Sequence, residues 1–274
     1  MELEEKIYRD WLEDGSTSDS TKARLFSASA KKASYWLSVL PTSPFVLIRD
    51  VHLCVAVRNL LGLPVSESLP FRCACGASLP SNPDHAHVCY KLRRTAVTIR
   101  HNMVLHCLAR LARRAGATVH VEPQYDPALV DDQNHKSRPD MQVVSFTGHH
   151  LVDVSVTHPC AASYVGSASS RPLSAANARA KRKIADYGSL CASFDPPASF
   201  VPFVFETFGA AEGRVGEFVN YLAKVASTNQ VDREGRFRYR ALTALAVALQ
   251  VGNARVLLSG AELARTHAAS LLLP

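Results

Sequence analysis

Two aspartates stand where a metal-dependent reaction could use their carboxylates. Asp140 directly precedes a short alternating stretch, residues 141–146, and Asp153 lies inside a second one, residues 149–158. Alternating apolar and polar residues predict two strands, and Thr147-Gly148 between them predicts a two-residue hairpin turn. We therefore expect the two carboxylates on neighbouring strands of one sheet.

The predicted turn determines which residues face each other across the hairpin. A turn at Thr147-Gly148 places Asp140 opposite Ser155, and Asp153 becomes the diagonal neighbour of Asp140 at about 7–8 Å between Cα atoms. Two carboxylates at that distance can share one divalent cation. The strand's valines would form the core face, which leaves Asp153 facing a cleft or solvent. The alternative is that Pro-Asp is an ordinary turn dipeptide and the strand aspartate is simply exposed.

A segment rich in proline, serine and asparagine carries the donor set of a structural zinc site. Three thiolates and an imidazole fall within 17 residues, from Cys73, Cys75, His85 and Cys89. Such a set is typical of tetrahedral Zn²⁺. His87 is the other candidate imidazole, and His85 is preferred because it leaves a three-residue gap before Cys89. Cys-x-Cys is tighter than the usual Cys-x-x-Cys spacing, so reduced cysteines in a loop are the alternative.

The other cysteines and the N-terminus indicate in which cellular compartment the protein is expected. Four cysteines stand alone among apolar or small neighbours and are expected to be buried: Cys54, Cys107, Cys160 and Cys191. An odd, uneven set of seven argues against a disulfide framework. The N-terminus is too acidic for a secretion signal, and no apolar run reaches the roughly 18–20 residues of a membrane span. We expect a protein that is not secreted and has no membrane partner.

The net charge of +7 is unevenly distributed. Residues 1–20 hold seven acids and two bases, so the rest of the chain has 29 bases against 17 acids. A predicted helix over residues 91–115 contains seven Lys or Arg and no acid, with apolar residues at helical spacing. This basic body indicates a polyanionic partner.

The pattern of elements predicts the fold class. Residues 1–20 look like a polar, loosely held start. Helices are predicted over residues 21–40, 48–61, 91–115, 175–191, 214–226 and 237–258, and strands over 118–122, 141–146, 149–158 and 200–208. This order favours an α/β fold with one mixed central sheet flanked by helices.

Several short motifs follow one another in a family-specific order. They are Cys73-x-Cys75-Gly76, Asp84-His85-x-x-x-Cys89, Arg100-His101-Asn102, Glu122-Pro123, Arg138-Pro139-Asp140, Asp153-Val154-Ser155-Val156, Lys183-x-x-x-Tyr187 and Pro202-x-x-x-Glu206-Thr207-Phe208-Gly209. Together they resemble the C-terminal region of non-LTR retrotransposon reverse transcriptase proteins, which carries a CCHC zinc knuckle and a restriction-like endonuclease of the PD-(D/E)XK type. The resemblance covers roughly residues 24–260. A reverse transcriptase does not fit in the remainder, so we expect a truncated element product or a stand-alone relative.

The resemblance implies a division of the chain and an activity. It implies a helical N-terminal region (1–69), a zinc knuckle (70–90) and a PD-(D/E)XK endonuclease domain (91–274). The activity would be metal-dependent hydrolysis of DNA, as in the nicking of an integration target, with catalytic Mg²⁺ or Mn²⁺ and structural Zn²⁺. DNA would be the main partner, with the parent element's RNA or a reverse transcriptase in trans as others. The location would be nuclear, or cytoplasmic before import.

The family's pattern also implies roles for individual residues. Asp140 and Asp153 would hold the catalytic metal ion. The PD-(D/E)XK motif has a lysine two residues after its second acid, where this chain has Ser155. The family commonly supplies that lysine from the following helix instead. Lys183, with Tyr187 one turn later, is the best match there.

Other positions keep more than one interpretation. Lys181 is the neighbouring candidate lysine, and Asp186 stands where the family usually has one. Glu206 is either a third acid in the cleft or a buried, hydrogen-bonded strand residue, and a structural role is favoured for Glu122.

The predicted nucleic-acid contacts are Arg93, Arg94, Arg100, His101, Asn102, Arg138, Arg179 and Arg182. The alternatives are an exposed helix turn at residues 100–102, and a solvated helix face or nuclear-localisation patch at 179–183. Ser155 and Asp186 motivate the alternative function, a catalytically inactive nucleic-acid-binding remnant.

Overall fold

The structure is a computed structural model that describes residues 2–124 and 138–271, with side chains described from residue 6 onward. The helices are α1 (Glu2–Glu13), α2 (Asp19–Ala28), α3 (Asp50–Leu60), α4 (Ala96–Arg114), α5 (Val165–Ala168), α6 (Ser174–Ala192), α7 (Gly213–Thr228) and α8 (Glu234–Ser270). The strands are β1 (Thr118–Val121), β2 (Met141–Ser145), β3 (Gly148–Thr157) and β4 (Ser199–Glu206). Short 3₁₀ turns occur at Tyr35–Leu37, His85–His87 and Tyr90–Leu92.

A four-stranded mixed sheet lies at the centre, with strand order β1-β2-β3-β4. The first three strands are antiparallel, and β4 runs parallel to β3. A parallel pair needs a crossover connection, and α6 provides it between β3 and β4. The predicted α/β fold with a mixed central sheet flanked by helices is confirmed at this level.

Helices cover both faces of the sheet. Val152 and Val154 of β3 share one buried core with Leu108 of α4 and Leu249 of α8, as expected for the valine face. Helix α6 packs on the opposite face. Asp153 belongs to that face and is buried there, so it needs polar partners to offset the loss of water.

The hairpin register differs from the predicted one by two residues. Ser145 pairs with Gly148, so the turn residues are Phe146 and Thr147 rather than Thr147 and Gly148. The Ser145 hydroxyl accepts a hydrogen bond from the backbone N–H of Thr147 at 3.0 Å. This bond stabilises the turn, and Phe146 is left exposed. A shift of two residues keeps each side chain on its predicted face.

The shift brings the two aspartates directly opposite each other. Met141 pairs with Val152, so Asp140, one residue earlier, faces Asp153 and not Ser155. Directly opposite residues have Cβ atoms about 4.5–5.5 Å apart, which is closer than diagonal neighbours. The prediction that the two carboxylates are neighbours is therefore correct, although its register is wrong.

The helical parts of the chain also depart from the prediction. The polar start predicted over residues 1–20 contains a helix, α1 (Glu2–Glu13), whose side chains from residue 6 onward are exposed or half-buried. The single helix predicted over residues 21–40 is broken: α2 ends at Ala28, and Lys32 adopts a left-handed backbone with φ of 71°. Such a backbone cannot continue a right-handed helix.

Helix α8 is longer than the predicted 237–258. By length and apolar composition it could span a membrane, contrary to the sequence expectation, but 72% of its most apolar window is buried inside the protein. Its residues Leu245 and Leu249 belong to the main core. Burial of this kind makes α8 weak evidence for a membrane span.

Candidate functional site

An open cleft of about 730 Å³ lies between the first half of α4, strand β3 and helix α6. Residues of the segment 70–90, called the Cys/His segment below, also line it. Its titratable lining residues are His87, Cys89, Arg93, Arg100, His101, Asp140, Asp153, His158, Tyr164, Arg179 and Lys183. The two aspartates are the acids of this lining, and its other charged side chains are basic.

Asp153 is the more buried of the two carboxylates, with 3% of its surface exposed. Its Oδ1 accepts hydrogen bonds from Nζ of Lys183 at 3.0 Å and from the hydroxyl of Tyr187 at 2.9 Å. The Ser155 hydroxyl lies 3.4 Å from Oδ2. Burial raises the pKa of Asp153, the charge of Asp140 raises it further, and the Lys183 ammonium opposes both. An additional cation would stabilise this carboxylate.

Asp140 lies immediately before strand β2 and is fixed by two neighbours. Its Oδ2 accepts a hydrogen bond from the backbone N–H of Val154 at 2.7 Å, and its Oδ1 is 3.4 Å from Nε2 of His101. Burial alone would lower the pKa of His101, but the hydrogen bond and charge of Asp140 outweigh it and raise that pKa. When it is protonated, His101 provides a positive counter-charge for Asp140.

Helix α6 supplies the lysine next to the carboxylates. Arg179, Lys183 and Tyr187 are spaced four residues apart, so they project from one side of the helix. Lys181 lies about 200° around the helix from Arg179, and it lines a separate cavity. Of the two candidate lysines, Lys183 is the one that contacts Asp153. The Tyr187 hydroxyl is also 2.8 Å from the carbonyl oxygen of Arg138, which ties α6 to the chain just before Asp140.

Glu206 lies apart from the two aspartates. It pairs with Thr157 across β3 and β4, four residues from Asp153 and hence about 13 Å along the strand. Glu206 is 1% exposed, and its Oε1 accepts a hydrogen bond from the backbone N–H of Ala176 at 3.2 Å. Burial raises its pKa. These contacts favour the buried, hydrogen-bonded strand residue over the third acid of the cleft.

The residues predicted to contact nucleic acid differ in their exposure. Arg100 is 2% exposed, and its guanidinium lies 3.1 Å from Nδ1 of His87 and donates to Oδ1 of Asn253 at 3.3 Å. It joins α4, α8 and the Cys/His segment, and although it also lines the cleft, its burial favours a structural role over the predicted DNA contact. Arg93 and Arg179 line the cleft, as does His101.

The other predicted contacts lie outside the cleft. Arg94 and Arg182 are exposed, and Asn102 is half-buried on α4. Arg138 forms an ion pair with Glu122 at 2.9 Å. This pairing at the surface is consistent with the structural role favoured for Glu122.

The predicted Cys/His cluster is assembled. Donor atoms of Cys73, Cys75, His85 and Cys89 all lie within 4.8 Å of one another, and the group could hold a metal ion such as zinc. The Sγ atoms of Cys73 and Cys89 are 3.8 Å apart, and Sγ of Cys75 is 3.0 Å from Nε2 of His85. His85 is thus the imidazole of the cluster. His87 points elsewhere, with its Nε2 3.3 Å from Oδ1 of Asn59.

The cysteines outside this cluster match the sequence prediction only in part. Cys107 and Cys191 are buried, as predicted. Cys54 is exposed and Cys160 is half-buried, so the prediction is wrong for Cys54.

One connection at the site could not be found from the sequence. Asp84, next to His85, is 3.0 Å from the guanidinium of Arg24 in α2 and 3.7 Å from Nε2 of His158 at the end of β3. Asp84, His158 and Cys160 are also close enough to hold a metal ion, but Arg24 already supplies the cation that Asp84 needs. The partners lie far apart in the chain, so no spacing pattern indicates this network.

Comparisons of the chain with models of known protein families and with curated proteins find no match. What the site can do therefore follows from its own chemistry. Two adjacent carboxylates, an ammonium and basic cleft walls suit the binding of a cation and of a phosphate-bearing substrate.

Proposed function

We propose that the protein is a Mg²⁺-dependent DNA endonuclease of the PD-(D/E)XK type. It would hydrolyse phosphodiester bonds as the retrotransposon endonuclease does when it nicks an integration target. The observation that carries this proposal is that Asp140, Asp153 and Lys183 meet in an open cleft whose other charged residues are basic. The order of the sequence motifs supports the same conclusion.

The donor atoms of the cleft fit Mg²⁺ or Mn²⁺, which prefer oxygen ligands. Oδ1 of Asp153 is bound by Lys183 and Tyr187, and Oδ2 of Asp140 by the N–H of Val154. The remaining oxygen of each carboxylate has a weaker contact, at 3.4 Å. We propose these two oxygens as the metal ligands. The pKa of Asp153 is raised by burial and by the charge of Asp140, and this supports the choice because a cation there would offset both effects.

The chain's own residues would then have distinct tasks. A bound Mg²⁺ supplies polarisation of the scissile phosphate and activation of the attacking water. Lys183 stabilises negative charge that develops at the phosphate, and Tyr187 holds Asp153 in place. Arg93 and Arg179 bind phosphates along the cleft.

We further propose Zn²⁺ as the ion of the Cys/His cluster. Sulfur atoms on a tetrahedral zinc are about 3.8 Å apart, because each Zn–S bond is about 2.3 Å long. The Cys73 and Cys89 sulfurs have this separation, 3.8 Å. The Cys75 sulfur and the His85 nitrogen, at 3.0 Å, would move apart slightly on binding.

A plasmid-nicking assay tests the proposed activity. We expect the wild-type protein to nick supercoiled DNA with Mg²⁺ and to lose nicking when Mg²⁺ is left out. Asp140→Ala and Asp153→Ala should each lower the rate by at least about 10²-fold, since each removes a ligand of the catalytic ion. Glu262→Ala, which removes an exposed acid of α8, is the matched control. Equal nicking by all four proteins would refute the assignment.

The inactive remnant remains the alternative, and the same assay separates the two. Ser155 and Asp186 depart from the family's lysine positions. The contact between Lys183 and Asp153 at 3.0 Å favours the enzyme, because a lysine does reach the carboxylates. A remnant would bind DNA without metal-dependent cleavage.

A further inference from the structure

A second cavity adjoins the cleft on the outer side of α6. It has a volume of about 550 Å³ and is lined by Ser163, Tyr164, Ala178, Lys181, Arg182 and Ala185. Ser163 and Tyr164 also line the cleft, so the two spaces meet at these residues. A strand leaving the cleft past Tyr164 would enter this second cavity.

Helix α6 presents a different basic stripe to each space. Arg179 and Lys183, four residues apart, line the cleft, whereas Lys181 and Arg182 line the second cavity. Among the described residues, no carboxylate lies within ion-pair distance of Lys181 or Arg182. Unpaired cations of this kind attract the phosphates of a nucleic acid.

Tyr164 stands at the junction of the two spaces. It is half-buried and immediately precedes α5, where its backbone N–H donates to the carbonyl of Ala161 at 2.8 Å. The guanidinium of Arg182 lies 5.9 Å from the centre of the Tyr164 ring and also bonds to its hydroxyl. The ring is therefore held in place at the cleft wall.

An aromatic ring among unpaired cations is a combination used to bind single-stranded nucleic acid. Lysine and arginine track the backbone, while unpaired bases stack on the ring, and this stacking is tolerant of sequence. Bases inside a duplex are already stacked and paired, so they cannot use the ring. This difference makes Tyr164 a feature that distinguishes single strands from duplexes.

We propose that Tyr164 and the adjoining cavity bind an unpaired stretch of DNA beside the scissile phosphate, so that the preferred substrate is single-stranded or locally opened DNA. The position of the scissile phosphate rests on the proposed function. The binding of an unpaired strand does not, because it requires no metal and no cleavage.

Binding measured without Mg²⁺ or Mn²⁺, and without a chelator that would also remove the proposed zinc, tests this inference apart from catalysis. Fluorescence anisotropy is measured with a labelled single strand and with the duplex of the same length. The wild-type protein should bind the single strand more tightly. Tyr164→Ala should weaken single-strand binding by about tenfold or more, as expected for the loss of one stacked base, and should change duplex binding much less. Tyr164→Phe keeps the ring and should stay within about twofold of wild type.

Two controls make the outcome decisive. Phe146→Ala removes another exposed aromatic ring, at the β2–β3 turn, and should bind as wild type does. Lys181→Ala combined with Arg182→Ala should weaken the binding of both the single strand and the duplex, because both contain phosphates. Equal wild-type affinity for the two ligands, or unchanged single-strand binding by Tyr164→Ala, would overturn the inference. Absence of nicking together with the expected binding pattern would overturn the endonuclease proposal alone.

Discussion

Lys181 and Lys183 are two residues apart in α6, yet their surroundings differ. Lys183 contacts the buried carboxylate of Asp153 at 3.0 Å, whereas Lys181 is exposed in the neighbouring cavity. A lysine beside the reacting phosphate stabilises the transition state, and a lysine farther along the strand contributes to binding alone. The two positions should therefore affect different kinetic constants.

Substitution of each lysine separates these roles. We expect Lys183→Ala to lower kcat for DNA nicking by about 10²–10³-fold, the usual cost of losing one transition-state charge. Lys181→Ala should raise KM and leave kcat within about twofold of wild type. Steady-state nicking measures both, with Lys224→Ala on the exposed side of α7 as the control. A similar loss of kcat at both positions would contradict the assignment of Lys183.

Glu206 provides a residue-level test of the structural role inferred for it. Its pKa is raised above the ordinary value of 4.5 by burial. A carboxyl group whose pKa is raised by folding contributes its full stabilisation at pH values below its pKa in the unfolded chain. This contribution is lost as the pH rises through its pKa in the folded protein. Glutamine at this position does not titrate, and its carbonyl can still accept from Ala176.

We accordingly expect the free energy of unfolding of Glu206→Gln to fall less than that of wild type as pH rises from about 4.5 towards neutrality. Urea unfolding of both proteins across this range measures the difference. Nicking by Glu206→Gln should remain near wild type, because the carboxyl lies outside the cleft. Parallel stability curves, or a loss of nicking comparable to that of Asp153→Ala, would contradict this role.

At the scale of elements, the sequence pattern predicted the helices and strands, whereas the residues of the turn predicted the wrong register for the hairpin. Helix α6 spans Ser174–Ala192, close to the predicted 175–191, because the segment is rich in the strong helix formers alanine, lysine and arginine. The hairpin strands were also predicted, but their register depended on the turn. Gly148 suggested a turn one residue too late, since the side-chain bond of Ser145 to the N–H of Thr147 is not visible as a pattern.

Contacts between distant segments explain the rest of what the sequence could not predict. The separation of Lys181 from Lys183 required the direction in which α6 packs on β3. The ion pair of Asp84 with Arg24 joins α2 to the Cys/His segment across 60 residues. Neither follows from composition or spacing, because both depend on tertiary packing.

The Cys/His segment is the element whose stability should depend on metal. Cys73 and Cys89 share a small core with Val256 and Leu257 of α8, so loss of the ion would also loosen this packing. We expect about one equivalent of zinc in the purified protein, and its loss in Cys73→Ser and Cys89→Ser. Chelation should lower Tm by roughly 5–10 °C, as for a loss of about 2–3 kcal/mol in a protein of this size.

Metal analysis by mass spectrometry and thermal unfolding measure these effects. Cys107→Ser is the matched control, because Cys107 is a buried cysteine of α4 outside the cluster. It should retain the zinc even if it loses some stability. Unchanged zinc content in both cluster variants would contradict the site.

At the scale of the whole molecule, the net charge of +7 is less informative than its placement. The acids of the cleft are the two aspartates at the proposed metal site, and the surrounding charged groups are basic. The second cavity continues the basic surface along α6. A polyanion would therefore meet continuous positive charge, except at the two aspartates where the proposed metal ion would bind.

This arrangement predicts that the proposed binding to nucleic acid depends strongly on salt. Four basic residues are proposed to contact phosphates: Arg93, Arg179, Lys181 and Arg182. Release of counterions by four contacts on a single strand gives a slope of about −3 in log K against log salt. Affinity should then fall about 50-fold between 50 and 200 mM salt.

The double variant Lys181→Ala/Arg182→Ala should halve this slope, because it removes two of the four contacts. Arg265→Ala, which removes an exposed charge of α8 far along the chain, should leave the slope unchanged. Anisotropy titrations without Mg²⁺ or Mn²⁺ at several salt concentrations measure all three proteins. A double variant with the wild-type slope would mean that these two side chains do not touch the strand. Since phosphate contacts act through charge and Tyr164 acts through stacking, Tyr164→Ala should lower the affinity at every salt concentration without changing the slope.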